Sequence, residues 1–153
     1  MIDPNNKSTT KNPVGHFMVA VGFLIELKRS GKILLVKRSD VLDWQPREWE
    51  IGYGRINQFE DTEVGLRREV FEELGLDDLE IINVLNIWHI FRGSMKAENE
   101  LIGITYHCRT NTSEIRLSEE HSQYQWVLPE KAKEMVTVGG IKEDIDSYIS
   151  SKM

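Results

Sequence analysis

The sequence predicts an α+β protein in which helices flank a mixed β-sheet. Apolar runs typical of strands outnumber helical segments, one strongly marked helix lies mid-chain, and an amphipathic helix closes the chain. The 153 residues suffice to bury a core, and they contain no internal repeat or interdomain linker. We therefore expect one domain over residues 14–153, preceded by a flexible polar leader over residues 1–13.

The strands are predicted from apolar runs rich in Val, Ile and Phe that are bounded by turn residues. The predicted strands cover residues 16–27, 32–38, 49–56, 79–91, 101–110 and 124–129. The first two flank the turn KRSG and should form a hairpin, while the fourth and fifth flank a polar loop and should pair antiparallel. Gly52 and Gly54 interrupt the third strand, and Pro129 ends the sixth.

The mid-chain helix has sequence signals at both ends. Asp61 is a suitable N-cap, Glu63 complements the positive end of the helix dipole, and Gly75 occupies the position favoured by a C′ glycine. An apolar stripe with helical spacing should face the core, and it consists of Leu66, Val70 and Leu74. Two further helices are predicted over residues 130–135 and 139–153.

Composition and charge limit the classes of partner. The net charge of −6 argues against nucleic acid and anionic membranes, but it permits a local basic pocket for a small phosphorylated ligand. The single cysteine, Cys108, lies in an apolar run, so we expect a buried thiol and a reducing compartment. The N-terminal segment lacks an apolar signal core, and no apolar run approaches the roughly 20 residues that span a bilayer. A cytoplasmic protein is therefore expected.

The mid-chain helix also has a dense acidic face. Glu69, Glu72 and Glu73 share one side at helical spacing, so their carboxylates should converge, and Arg68 can pair with Glu72 one turn along. A solvated acidic face is the plain interpretation of such a helix. The alternative is a site for a hard cation such as Mg²⁺ or Mn²⁺, which would remove the mutual repulsion of the carboxylates.

The preceding loop decides between these interpretations. The segment 54–76 reads GRINQFEDTEVGLRREVFEELGL, and its 23 residues contain nine specified positions. These positions resemble the signature of the Nudix hydrolases, including MutT-like proteins, at every fixed residue. The flanking segments GKILLVKR and EEHSQYQWV, together with Trp49, are also similar to the family, so the likeness extends from about residue 18 to residue 130.

The resemblance implies a Nudix fold, which is an α/β/α sandwich around a mixed sheet, and hydrolysis of a diphosphate linkage in a nucleoside diphosphate joined to another group X. It implies metal ligation, by Mg²⁺ or Mn²⁺, at Gly54 (through its carbonyl), Glu69, Glu72 and Glu73. Arg68 would orient the glutamates, most directly Glu72. Glu60 would complete the charge network, and Gly75 would end the helix.

The general base is left open, since it can come from the glutamates of the helix or from a later loop. The later candidates are Glu119 and Glu120 in the segment LSEEHSQ, of which Glu120 is favoured, and the alternative is that both are solvated acids. His121 could aid proton transfer there, although a solvated loop histidine is the preferred interpretation.

Substrate contacts are predicted outside the acidic helix. Arg38 is either a phosphate contact or an exposed strand end, Trp44 is a candidate for stacking on a base, and Tyr53 either forms an aromatic wall of the pocket or fills the core. His89 and Arg92 are expected beside the substrate cleft.

The segment departs from many relatives at several positions, beginning with Gly52, Tyr53 and Gly54 where relatives read Pro-Gly-Gly. Asn57 replaces a carboxylate, Phe59 stands where relatives carry Gly, and Gly65 stands where Ala is common, which suggests close packing.

The favoured function is a Mg²⁺-dependent (d)NTP pyrophosphatase. The alternatives are an ADP-ribose or nucleotide-sugar pyrophosphatase, a non-catalytic nucleotide-sensing module, and a Ca²⁺ or partner-binding patch unrelated to hydrolysis. Retention of all three helix glutamates argues against the sensing module. The expected partner is a small nucleotide-type diphosphate, and a homodimer is left open.

Overall fold

The computed structural model describes residues 14–153, so the leader predicted over residues 1–13 lies outside the described residues. The strands are β1 (Met18–Leu27), β2 (Ile33–Arg38), β3 (Trp49–Glu50), β4 (Tyr53–Arg55), β5 (Glu80–Phe91), β6 (Glu100–Thr110) and β7 (His121–Val127). The helices are α1 (Thr62–Leu74), α2 (Pro129–Met135) and α3 (Gly139–Ser151), and a single 3-10 turn covers Ala97–Asn99.

The seven strands form one mixed sheet, with the order β3-β2-β1-β6-β5 and with β4 and β7 paired to β1 and β2. β1 runs parallel to β6, and the other pairs are antiparallel, including the predicted β5–β6 pair. β1 pairs with β2 near its end, at Glu26, and with β4 near its start, over 20–22. This change of partner along β1 brings β4 towards the start of α1.

Alternate residues of a strand point to opposite faces of the sheet, so both faces present apolar side chains. Helices cover both faces. The core between the sheet and α1 includes Val21, Phe23, Ile25, Leu34, Leu66, Val70 and Leu74. The core beneath α2 and α3 includes Leu24, Ile33, Leu35, Ile51, Ala132, Ile141 and Ile145. The predicted α/β/α sandwich, the buried stripe of α1 and the buried thiol of Cys108 are therefore confirmed.

The predicted ends of α1 are also confirmed. The carboxylate of Asp61 accepts hydrogen bonds from the backbone N–H groups of Glu63 and Val64 at 2.9 and 3.3 Å. Gly75 adopts a left-handed φ of 71° and donates its N–H to the carbonyl of Phe71. The caps fix where the helix starts and stops, and they thereby fix the register of its acidic face.

Two strand predictions need correction. The third predicted strand is two short strands, β3 and β4, because Gly52 between them takes a φ of 116°. β7 begins at His121, three residues earlier than predicted, since His121 pairs with Arg38 of β2.

None of the helices in the described part of the chain is long and apolar enough to cross a membrane.

A buried glutamate ties the C-terminal helix to the sheet. Glu26, 3% exposed, accepts a hydrogen bond from the Tyr148 hydroxyl at 2.6 Å and contacts the Lys152 ammonium at 2.6 Å. Arg109 Nε donates to its other oxygen at 3.0 Å. Burial by itself raises the pKa of Glu26, but the hydrogen bonds from Lys152 and Tyr148 and the charges of Lys152 and Arg109 lower it to about 2.

This depressed pKa predicts an acid-sensitive contribution to stability. In the unfolded chain Glu26 has its ordinary pKa of 4.5, whereas in the folded protein the pKa is about 2. The contribution of Glu26 to the stability of the fold is therefore complete above pH 4.5 and is lost as the pH falls towards 2. Between pH 5 and pH 3 the loss from this one group is roughly 2 kcal/mol. Urea unfolding at both pH values should show a shallower pH dependence in Glu26→Gln than in the wild type, and equal dependences would contradict the assignment.

Candidate active site

Arg68 lies at the centre of the acidic face of α1. Its Nε and Nη2 atoms donate to the two carboxylate oxygens of Glu60 at 2.7 and 2.8 Å. Its Nη1 atom donates to Glu69 at 2.9 Å and to Glu72 at 3.2 Å. Nη2 also donates to the backbone carbonyl of Arg55 in β4 at 2.9 Å. One guanidinium group therefore joins the strand before the helix, the intervening loop and two turns of α1.

The expectation that Arg68 acts most directly on Glu72 is wrong. Glu60 and Glu69 lie closer to the guanidinium, and the side chain of Glu72 is 57% exposed. The reason is that Glu60 meets the guanidinium through both of its carboxylate oxygens, which is the strongest geometry for this pair. Hydrogen bonds from Arg68 and from the backbone N–H of Asn57 lower the pKa of Glu60 to about 2.

Gly54 in β4 lies directly against the side chain of Glu69. A Cβ atom at position 54 would collide with the Glu69 carboxyl group. Glycine therefore allows the strand backbone and the carboxylate to approach with no side chain between them. Two of the residues predicted as metal ligands are brought together in this way.

The same loop shows how the sequence departures are accommodated. Phe59 has a φ of 66° and a side chain that is 99% exposed, so the chain keeps a left-handed conformation that suits glycine, at a cost of about 1 kcal/mol. A Cβ atom at Gly65 would collide with Ile56 and Glu60. The close packing predicted for Gly65 is therefore confirmed.

Glu73 is the buried member of the acidic face, with 5% of its surface exposed. Its Oε2 atom is buried and has no hydrogen-bond partner among residues 14–153. Burial, followed by the negative charges of Glu120, Glu69 and Glu50, raises the pKa of Glu73 to about 10. The protein thus buries a carboxyl group beside three other carboxylates and leaves one of its oxygens unpaired among the described residues.

The connection between β6 and β7 brings Glu120 to the same place. Backbone N–H groups of Arg116 and Ser118 donate to the last carbonyls of α1, those of Leu74 at 2.9 Å and Glu73 at 3.2 Å. The carbonyl of Glu120 accepts from the Ser39 N–H at 2.9 Å. These bonds satisfy the end of the helix and hold the loop beside Glu73. Glu120 thus lines the same cavity as Glu73, and its role as general base stays a prediction.

Glu50 adds a second buried carboxylate whose charge acts on Glu73. Its Oε1 atom lies 2.8 Å from His121 Nε2 and 3.4 Å from Arg38 Nη1. His121 is 5% exposed, so its interpretation as a solvated loop histidine is wrong. It is buried because β7 begins at this residue and places its ring against β3.

The side chain of Arg38 is 15% exposed, which excludes the exposed strand end. Its Nε atom donates to the backbone carbonyl of Trp44 at 2.9 Å, and Nη1 contacts Glu50. The guanidinium is thus held by protein groups at the edge of the site. Its role as a phosphate contact stays a prediction.

A cavity of about 740 Å³ connects these groups. The predicted site residues that line it are Arg38, Trp44, Tyr53, Gly54, Glu69, Glu73 and Glu120. His89 and Arg92 line it as well, as expected, and the guanidinium of Arg92 lies 5.4 Å from the centre of the Trp44 ring. We call the part of the cavity around Glu69, Glu73 and Glu120 its acidic end and the part around Tyr53 and Trp88 its aromatic end.

The cavity residues that the sequence prediction missed include Glu50, Asn86, Trp88 and Asp144. Asn86 and Trp88 lie in a predicted strand, where the one available signal was a polar residue within an apolar run. Asp144 lies in an amphipathic helix, where an acidic residue ordinarily faces water. Tyr53, which was predicted, donates its hydroxyl to Asp144 at 3.0 Å and so belongs both to the wall and to the packing beneath it.

The fit of a metal ion can be judged from the donors. Within residues 14–153, no three His, Cys, Asp or Glu side chains stand close enough together to hold an ion as they are. The predicted convergence is incomplete because Arg68 draws Glu69 and Glu72 to itself. The donor set nevertheless fits a divalent cation, since Glu73 has an unpaired buried oxygen, Gly54 leaves room at Glu69, and carboxylate oxygens are the preferred ligands of hard cations. A depression beside the cavity is lined by Glu69, Glu72, Glu73, Ser118, Glu119 and Glu120.

Comparison with known proteins gives the family. The model of the NUDIX domain matches residues 16–143. The chain is 29% identical to the nucleoside triphosphatase NudI of Escherichia coli O17:K52:H18 over 112 residues, which cover 68% of this chain and 78% of that protein.

Solved structures show the same fold. The MutT protein of Methanosarcina mazei Go1 is 24% identical with a TM-score of 0.72, and the match covers 92% of this chain and 98% of that one. The NUDIX domain of Shewanella oneidensis NrtR, solved in complex with ADP ribose, is 15% identical with a TM-score of 0.68, covering 99% and 94%. Because the family model spans most of the chain and the fold agrees, the chain belongs to the Nudix hydrolase family.

Proposed function

We propose that this chain hydrolyses a diphosphate linkage of nucleoside triphosphates with the help of Mg²⁺. The observation that carries the proposal is the buried, unpaired carboxyl oxygen of Glu73, which lies at the acidic end of a cavity whose other end is aromatic. Divalent metals serve Nudix hydrolases in general, and oxygen-only donors favour Mg²⁺, with Mn²⁺ as a close substitute.

The residues divide into three roles. Glu69, Glu72 and Glu73, with the carbonyl of Gly54, would hold the metal. Once bound, a divalent cation neutralises the diphosphate and lowers the pKa of its bound water. Arg68 keeps Glu69 and Glu72 in place before the metal ion and the substrate bind, since it contacts both.

Glu120 is proposed as the general base. It lines the cavity beside Glu73, and its loop is fixed by backbone hydrogen bonds to the end of α1. A carboxylate at this position can accept a proton from the attacking water at its Oε atoms. Arg38 and Arg92 line the same cavity and are proposed to offset the charge of the phosphates.

The proposed substrate class is taken from NudI, which is more similar in sequence to this chain than the NrtR domain is. NudI of Escherichia coli is called a nucleoside triphosphatase, and this chain covers 78% of it. ADP-ribose is the second candidate, since the NrtR domain that shares this fold was solved with ADP ribose. A cytoplasmic location, the absence of nucleic-acid or membrane partners, and a homodimer stay predictions.

Glu73→Gln should lose most of the metal-dependent turnover. The amide keeps the shape of the side chain but removes a charged oxygen ligand, and we expect kcat to fall roughly 100-fold, the scale typical of losing one catalytic electrostatic group. Pyrophosphate release from a nucleoside triphosphate at a saturating Mg²⁺ concentration measures this. Glu98→Gln, on the exposed 3-10 turn, is the matched control and should keep wild-type turnover. Wild-type kcat in Glu73→Gln would overturn the metal assignment.

A panel of nucleoside triphosphates, deoxynucleoside triphosphates and ADP-ribose, each with Mg²⁺ or with EDTA, tests the substrate class. We expect the highest kcat/KM with a triphosphate and none with EDTA. Turnover of ADP-ribose alone would replace the triphosphate assignment by the second candidate. An absence of turnover across the panel would reject both.

Gly54→Ala should raise the metal requirement. The added methyl group collides with the Glu69 carboxyl group, which must then move away from β4. We expect the Mg²⁺ concentration for half-maximal activity to rise about 10-fold, as for other residues that orient ligands. Gly139→Ala is the matched control because a Cβ atom there meets open space. Equal metal dependence in the two variants would show that the Gly54 contact does not matter for the site.

A further inference from the structure

Asp144 is a buried carboxylate at the aromatic end of the cavity. It lies on α3 and is 1% exposed. It accepts hydrogen bonds from three different strands: from Tyr53 Oη in β4 at 3.0 Å, from Asn86 Nδ2 in β5 at 3.2 Å and from Thr105 Oγ1 in β6 at 3.1 Å. One carboxylate therefore fixes side chains from three strands, two of which, Tyr53 and Asn86, line the cavity.

Trp88 is the largest of the side chains that depend on this network. Its Nε1–H donates to Thr105 Oγ1 at 3.0 Å. Gly103 pairs with Trp88 in the sheet, and a Cβ atom at Gly103 would collide with the indole. The indole therefore overlies β6, and the Tyr53 ring meets it edge to face, with centroids 5.8 Å apart and an angle of 87°. The result is a fixed aromatic surface within the cavity.

The hydrogen-bond inventory shows what is left for a ligand. Tyr53 and Thr105 each have one hydroxyl proton, and both protons go to Asp144. The Trp88 N–H goes to Thr105, and the Asn86 amide group turns its Nδ2 atom towards Asp144. The carbonyl oxygen Oδ1 of Asn86 has no partner within the described part of the chain, and Asn86 lines the cavity. An aromatic face and one hydrogen-bond acceptor are thus presented together.

These two features select a flat heteroaromatic ring with an N–H group at its edge. A sugar lacks the flat face, and a phosphate would be repelled by Asp144 and by the neighbouring Glu143, which also lines the cavity. A nucleobase has both the face and the N–H donor. Trp44, the residue predicted to stack, has its ring next to the Arg92 guanidinium and lies elsewhere in the cavity.

We propose that Trp88 and Asn86 form the nucleobase subsite of this enzyme and that Asp144 is the positioning residue that orients both. The proposal rests on the proposed function, because it assigns the diphosphate to the acidic end of the same cavity. Consecutive residues of β4 link the two ends, since Tyr53 contacts Asp144 and Gly54 lies against Glu69. A nucleotide held at Trp88 would extend its phosphates towards Glu69 and Glu73.

Binding of nucleoside 5′-monophosphates tests the subsite without requiring hydrolysis. The wild-type protein is titrated by calorimetry with AMP, GMP, CMP, UMP and the base-free ribose 5-phosphate, all with Mg²⁺. At least one monophosphate should bind about 10-fold or more tightly than ribose 5-phosphate, the scale of one base stacked on an aromatic side chain. Equal binding of ribose 5-phosphate and all four monophosphates would overturn the proposal.

Two variants locate the effect. Trp88→Leu should abolish the difference between the nucleotide and ribose 5-phosphate, and Asn86→Ala should weaken nucleotide binding about 5-fold, as expected for one lost hydrogen bond. Asn83→Ala is the matched control, because Asn83 is an exposed asparagine on the same strand that does not line the cavity. Wild-type nucleotide affinity in Trp88→Leu would refute the stacking role.

The positioning role of Asp144 has its own test. Asp144→Asn, and Thr105→Val as a second variant in case the first fails to fold, should weaken nucleotide binding while leaving ribose 5-phosphate binding unchanged. They should also raise KM for the triphosphate substrate more than they lower kcat. Equal weakening of both ligands in the two variants would mean that Asp144 has a purely structural role.

The outcomes separate this inference from the proposed function. Binding that depends on Trp88 but is accompanied by no triphosphate turnover would leave the subsite standing and reject the function. If the wild type hydrolyses triphosphates but the Trp88 and Asn86 variants bind nucleotides as tightly as the wild type, the proposed function stands and the subsite is rejected.

Discussion

The guanidinium group of Arg68 is the interaction on which the site depends. It joins Glu60, Glu69, Glu72 and the backbone of Arg55 through five hydrogen bonds. Three carboxylates would otherwise repel one another at this spacing, so a single delocalised cation with a planar array of donors makes the acidic face compatible with folding. The same contacts fix β4 against α1, which is why Gly54 comes to rest beside Glu69.

The Glu73 carboxyl group, unlike those of Glu60, Glu69 and Glu72, has no arginine partner within residues 14–153. Arg68 does not reach Glu73, whose buried carboxyl group faces the charges of Glu120, Glu69 and Glu50. Burial of an unpaired ionisable group costs stability, and such groups concentrate at functional sites. In the proposed function, a bound cation would supply the compensation that the protein lacks, and folding and metal binding would then depend on the same carboxylates.

The two ends of the cavity are built in different ways. The acidic end consists of residues on one helix, with the loop and strand that precede it, joined by the loop between β6 and β7. The aromatic end is assembled from β4, β5, β6 and α3 around Asp144. Because the acidic end is local and the aromatic end is not, the proposed roles of the two ends would let substitutions in β5 or α3 change which nucleobase is bound while the acidic end stays the same.

The sequence by itself determined the fold class, the caps of α1, its buried stripe and the set of glutamates on its acidic face. These features follow from local periodicity and from a motif of fixed spacing. Only the tertiary structure decided which glutamate is buried, that Arg68 serves Glu60 more than Glu72, and that His121 is buried. It alone brought Asn86, Trp88 and Asp144 together, since they are separated by up to 58 residues along the chain. Hydrogen bonds between distant strands leave no periodic trace in the sequence, and an acidic residue on an amphipathic helix looks solvated until the sheet that covers it is known.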